Sequence, residues 1–166
     1  GGAPLDPTVG EFFERIGIKV FQCYGLSETS PIISVDRGDD RKLMSVGPVL
    51  DSYDAKIDSE TGELMVKGPS VMKGYYNNPE KTAEVLEPEG WLHTGDLGVI
   101  DKNGNVTIKG RSKNMLLGPS GQNIYPEEIE EKISNLPYVC ENIVIQQSDH
   151  KLAALIYPDF EEAYKQ

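Results

Sequence analysis

The sequence predicts an α+β protein, and three observations carry that expectation. An amphipathic stretch followed by an alternating one opens the chain in the order helix, then strand. A long middle section holds only short apolar runs parted by turn residues. The final third switches between the two periods in the order β-α-β-β-α. With 17 glycines, 11 prolines and 38% hydrophobic residues among 166, the composition suits short strands and many turns. The length suffices for one domain, or for one domain and part of another.

The elements follow in order. "LDPTVGEFFERIG" reads as a short helix, with Asp6 as its cap, Pro7 in its first turn and Gly17 past its end. "IKVFQCYG" alternates as a strand and stops at Gly25, so a helix feeds a strand of an α/β sheet. "YDAKID" and "GELMVKG" flank "SETG" as a hairpin, and "NPEKTAEVL" is the one helix expected in the middle section. "DLGVID" and "NVTIKG" flank a second hairpin, where Asn103-Gly104 predicts a two-residue turn. Beyond Arg111, "NMLL" is a short strand and "YPEEIEEKISNL" a helix with acidic residues at its positive end. "VCENIVIQQ" and "KLAALIYP" are strands, and "DFEEAYKQ" begins a further helix. A domain boundary is expected at Gly110–Lys113.

The net charge of −11 excludes a general basic face for nucleic acid, so any phosphate must be held locally. Cys23 and Cys140 form neither a metal motif nor a disulfide framework and are expected as reduced core residues of a cytoplasmic protein. No apolar run approaches the roughly 20 residues that cross a membrane. The chain opens without methionine and is read as cut from something longer.

Three stretches could carry chemistry. In "YGLSET", Tyr24 offers a flat ring, Gly25 a close backbone approach, Ser27 a hydroxyl and Glu28 a hard oxygen suited to Mg²⁺; the plain alternative is a polar turn with Glu28 solvated. In "HTGD", the Asp96 carboxylate has two acceptor oxygens and can take both hydroxyls of a ribose, or it can cap its own turn. His93 reads as a structural hydrogen-bonder rather than a base, since no nucleophile lies near it in sequence. In "GRSKN", Arg111 is a planar donor suited to ribose or phosphate oxygens, or a surface ion pair. The loop "GPSGQN" is not followed by the Lys-Ser/Thr helix that a P-loop requires.

Taken in order, these stretches resemble the adenylate-forming superfamily of acyl-CoA synthetases, luciferase and peptide-synthetase adenylation domains. "YGLSET", "GELMVKGPSVMKGYYNNPEKTAE", "GWLHTGDLG" and "GRSKNMLLGPSGQNIYPEEIE" match its motifs in sequence. The resemblance implies the end of a large N-terminal domain. Residues 1–30 would be the edge of its α/β sheet and residues 31–110 a small, distorted β-barrel subdomain. A small mobile α+β C-terminal domain, incomplete, would follow over 111–166. It implies that Gly1, Gly2 and Ala3 lie near the adenine and acyl group, that Tyr24 stacks on adenine beside Gly25, and that Ser27 bonds the reacting carboxylate or α-phosphate. Glu28 would bind Mg²⁺, Asp96 with Arg111 would hold the ribose, Lys113 would be the hinge, and Gly121 would face the pantetheine channel.

The implied reaction joins a carboxylate to ATP as acyl-AMP and then to coenzyme A. "NMLLGPSGQNIYPEEIE" and "SVGPVLDSYDAKI" most resemble long-chain fatty acid–CoA ligases; an amino-acid or aryl-acid adenylating enzyme, or a non-catalytic nucleotide-binding module, stands as the alternative. The implied partners are ATP, a fatty acid and CoA, without nucleic acid, and the resemblance is compatible with peripheral membrane contact of a parent protein. The family's phosphate loop and catalytic lysine are not found in the chain, which alone is expected to be inactive. Lys113 stands where many members have Asp, and "LLGPSGQN" is one residue longer than the common loop.

Overall fold

The structure is a computed structural model and describes residues 5–38, 42–118, 120–148 and 151–164. It is a mixed α/β arrangement of small sheets that divides into two compact units, Gly1–Ile108 and Lys109–Gln166.

The first unit opens with α1 (Pro7–Arg15), where the Asp6 carboxylate accepts from the Val9 amide at 3.0 Å and Gly17, at φ +85°, closes the end. The strand expected over 18–25 shortens to β1 (Cys23–Gly25). The alternation marks a face, but a strand also needs a partner, and Ile18 and Phe21 stay exposed. β1 pairs antiparallel with β2 (Ile32–Val35), Tyr24 opposite Ser34. Next come β3 (Asp54–Ile57), β4 (Glu63–Lys67), α2 (Pro79–Val85), β5 (Leu92–Ile100) and β6 (Val106–Arg111), and the four strands form one sheet in the order β3-β4-β5-β6. Pro48 bridges Asn105 while Val49 bridges Ser34, so the β1–β2 ribbon and the larger sheet enclose one core. At that bend Gly47 sits at φ +83°, and a Cβ there would lie 2.2 Å from the Asp36 nitrogen.

That core is Ile33, Tyr53, Leu64, Val66, Leu92 and Val106. Leu64 is fully buried at its centre. Leu64→Ala is therefore expected to destabilise the first unit by about 2–5 kcal/mol, read as a lowered urea midpoint with an unchanged slope.

The hairpin at 101–105 differs from the expected two-residue turn. The Asp101 amide donates to the Asn105 carbonyl at 3.0 Å, leaving Lys102–Gly104 as a three-residue loop with Gly104 alone at positive φ, +83°. The Asp101 carboxylate anchors the loop by accepting from the Asn103 and Asn105 amides at 2.8 and 3.0 Å. Hydrogen bonds from Lys42 and then Asn105 hold its pKa well below the ordinary carboxylate range.

The chain passes into the second unit within β6. Here β7 (Leu116–Leu117) and β8 (Asn123–Ile124) form a ribbon, followed by α3 (Pro126–Ser134), β9 (Val139–Gln146), β10 (Leu152–Pro158) and α4 (Phe160–Ala163). β9 and β10 pair antiparallel, and α3 docks on β9: Glu130 Oε1 accepts from the Val144 amide at 2.7 Å, and Asn142 donates to the Glu130 carbonyl at 3.1 Å. The β-α-β-β-α order matches the expectation, with β8 an addition. The two cysteines are unpaired, as expected, but neither is a core residue; both are exposed. Among the described residues no helix is long and apolar enough to cross a membrane.

Candidate functional site

Two strand irregularities build the site in the first unit. The first lies in β1–β2, whose register shifts between Tyr24 and Gly25. A Cβ on Gly25 would fall 1.5 Å from the Pro31 carbonyl oxygen, so only glycine lets the loop 26–31 fold back this tightly. Ser27–Thr29 form a 3₁₀ turn, and Ser30 follows in the left-handed region at φ 58°. Thr29 is buried and staples the turn: its hydroxyl accepts from the Leu26 amide at 3.1 Å, and its carbonyl accepts from Tyr53 Oη at 2.7 Å. Ser27 is left exposed and Glu28 half-buried.

The second irregularity is in β5. Met65 pairs with His93 and Glu63 with Leu97, so β5 uses four residues where β4 uses two. The two surplus residues fall within the Thr94-Gly95-Asp96 corner, a bulge that redirects a side chain. Thr94 Oγ1 donates to the Leu64 carbonyl at 2.7 Å and accepts from the Asp96 amide at 3.1 Å. Gly95 turns at φ +73°, and its amide donates to Glu63 Oε1 at 2.7 Å.

These two irregularities meet. Tyr24 Oη donates to Asp96 Oδ2 at 2.5 Å, across 72 residues of sequence. Asp96 is only 4% exposed, so its carboxyl group lies in a mostly desolvated place against a half-buried ring. An ionised carboxylate has roughly four lone-pair directions, of which the tyrosine takes one. Beside them, Tyr75 Oη donates to Glu28 Oε1 at 2.9 Å, and the Met72 amide donates to the Glu28 carbonyl at 2.7 Å. The hydrogen bond to Glu28 raises the Tyr75 phenol above its ordinary value.

Among the described residues no three His, Cys, Asp or Glu side chains converge to hold a metal. Glu28 alone fits Mg²⁺ that arrives with phosphates and keeps waters, and does not fit an all-protein cage. An open cleft of about 440 Å³, lined by Ser52, Asp54, Lys67, Met72 and Leu86 among others, has none of the candidate site residues on its walls.

The remaining candidates fall in the second unit or outside the described residues. Arg111, Lys113 and Gly121 belong to the second unit. Arg111 ends β6, and its amide donates to Glu127 Oε1 at 3.4 Å; Asn114 Nδ2 donates to the same oxygen at 2.7 Å, so Glu127 gathers the Arg111–Asn114 turn. Lys113 is exposed in a 3₁₀ turn. Gly121 lies at φ +79° between β7 and β8, its amide donating to the Gly118 carbonyl at 2.9 Å. Gly1, Gly2 and Ala3 lie outside the described residues. Glu63, Tyr75 and Glu127 were not singled out from sequence, although each falls inside a quoted motif.

Residues 1–76 match the model of the AMP-binding enzyme family. The chain is 37% identical to the probable acyl-activating enzyme 16 of Arabidopsis thaliana, over 98% of this chain and 25% of that protein. It is 35% identical to the long-chain-fatty-acid–CoA ligase FadD15 of Mycobacterium bovis, over 100% of this chain and 28% of that protein. Among solved structures, the O-succinylbenzoate coenzyme A synthetase of Bacillus subtilis in complex with AMP superposes with a TM-score of 0.83 at 34% identity, over 94% of this chain and 34% of that one. The chain thus spans about a quarter of the length of the curated relatives it matches.

Proposed function

The chain belongs to the AMP-binding enzyme family, and on that premise we propose that it is a segment of an ATP-dependent long-chain fatty acid–CoA ligase. The observation that carries this reading is the contact of Tyr24 with Asp96, which brings an aromatic face and a desolvated acceptor to one place. An adenosine asks for that pair: a surface for the base and an acceptor for the ribose hydroxyls. The preference for a long-chain fatty acid is supported by the likeness to FadD15; the succinylbenzoate synthetase shows that the same architecture serves other acids.

In the proposed reaction a carboxylate oxygen attacks the α-phosphorus of ATP and pyrophosphate leaves. The CoA thiol then attacks the acyl-adenylate carbonyl, losing its proton, and AMP leaves. Asp96 holds the ribose, and by accepting from Tyr24 it also fixes the ring against which adenine lies. Ser27, exposed on its turn, donates to the carboxylate or α-phosphate. Mg²⁺ supplies neutralisation of phosphate charge when bound, and Glu28, oriented by Tyr75, offers it one carboxylate oxygen. For the second unit the proposed roles are a donor to ribose or phosphate oxygens for Arg111, a hinge for Lys113 and a pantetheine contact for Gly121.

The test is pyrophosphate release with ATP, Mg²⁺, CoA and a panel of acids, run on the full-length protein that carries this segment and on the 166 residues alone. Release driven by long-chain fatty acids in the former, and none in the latter, is expected. Preference for an aryl or amino acid would reassign the substrate, and no acid-dependent release in the full-length protein would sink the reading.

A further inference from the structure

His93 lies between two carboxylates. Its Nδ1 is 2.9 Å from Glu63 Oε2 and its Nε2 is 3.1 Å from Glu87 Oε1. A neutral imidazole has one N–H and would turn a lone pair on one of these carboxylates; only the imidazolium donates to both. Glu63 is itself shared, since its other oxygen accepts from the Gly95 amide at 2.7 Å, one residue before Asp96. The connection runs unbroken from Glu87 through His93 and Glu63 to the crest of the bulge.

We propose that Glu63 and doubly protonated His93 are positioning residues for Asp96: His93 holds Glu63, Glu63 holds the Gly95 amide, and that amide sets the direction in which the bulge presents the carboxylate. Thr94 Oγ1 ties the flanks of the corner to the Leu64 carbonyl and the Asp96 amide, and the Gly95 amide between them is the group that Glu63 holds. The charged groups that face the imidazole are Glu63 from β4 and Glu87 from the stretch after α2, with Asp58 of the β3–β4 turn acting through space. Glu63 first, and then Glu87, raises the His93 proton affinity above its ordinary value, against the burial that lowers it. A histidine raised on folding contributes its stabilisation in full below the ordinary value of 6.5 and loses it as pH climbs through the raised one. The corner therefore loosens toward the alkaline side.

The device stands on contacts within the first unit and rests on the nucleotide reading only for its effect on affinity. In the 166-residue chain, NMR titration should show the Gly95 amide shift following the His93 imidazole, with faster hydrogen exchange at Gly95 once His93 is neutral. Glu63→Gln should lower the midpoint of His93. A Gly95 amide that stays flat while His93 titrates overturns the proposal, and this readout needs no variant to fold. In the full-length protein, AMP affinity measured by calorimetry should weaken roughly three- to tenfold across the same titration, the loss of one charge-assisted restraint. His93→Arg, with a permanent charge and two donors, should flatten the profile at the tight end, and His93→Gln should be weak at every pH. Wild-type affinity indifferent to pH overturns the role in positioning Asp96. Absence of AMP binding at any pH overturns the nucleotide reading instead, while the Gly95 readout still decides the clamp.

Discussion

Gly25→Ala is expected to destabilise the first unit by on the order of 4 kcal/mol, near the upper end of single substitutions. The obstacle is space, since the new Cβ would stand 1.5 Å from the Pro31 oxygen, 2.5 Å from its carbonyl carbon and 2.8 Å from the Ile32 Cα. All three are backbone, so no rotamer change relieves the clash. The loop 26–31 must move, and it carries Ser27, Glu28 and the Thr29 carbonyl to which Tyr53 donates. Gly62→Ala is the matched control: it has nothing within 4 Å of its Cβ and only a left-handed φ of +77° to strain, which costs about 1–2 kcal/mol. Urea titration of the two variants separates the cases, and equal midpoints would remove Gly25 from its role in shaping the loop.

Asp96→Ala is expected to weaken AMP binding by the full-length protein roughly a hundredfold. Each hydrogen bond to a charged group contributes about 1.5–3 kcal/mol, and 1.4 kcal/mol is tenfold in affinity. The substitution also leaves the Tyr24 hydroxyl without its 2.5 Å acceptor, so the ring that adenine would meet loses its orientation. Asp96→Asn keeps an acceptor for Tyr24 while removing the charge and should fall between the two. Calorimetric titration with AMP orders the three proteins, and unchanged affinity in the alanine variant would show that the ribose lies elsewhere.

Local chemistry was legible in the sequence, and long-range pairing was not. Asp6, Pro7 and Gly17 mark α1 because caps and φ preferences act within a few residues. "YGLSET" and "HTGD" stood out as clusters of functional groups, yet nothing in either stretch says that Tyr24 touches Asp96. That contact follows from how β1 and β5 border one core, a property of sheet order rather than of either motif. Tyr75 and Glu28 are 47 residues apart, and Glu63 meets His93 across the β4–β5 pairing, 30 residues apart in sequence. The strand expected over 18–25 shortened to Cys23–Gly25 for a related reason: alternation names the face of a strand and leaves its neighbour unnamed. Cys23 and Cys140 were assigned to the core from residue type, but both lie in short sheets with a face open to solvent, and the type preference gives way.

The surplus in β5 is an even number. Between His93 and Leu97 the strand spends two residues more than its neighbour needs, so its flanks resume the alternation they would have had without the insertion. Assembly and chemistry are therefore recorded in different letters of the same strand: Leu92 and Leu97 specify how the sheet closes, and two residues of the Thr94-Gly95-Asp96 corner are an aside the ladder could omit and keep its alternation. A lineage could rewrite what the corner holds, or erase it, without teaching the chain to fold anew.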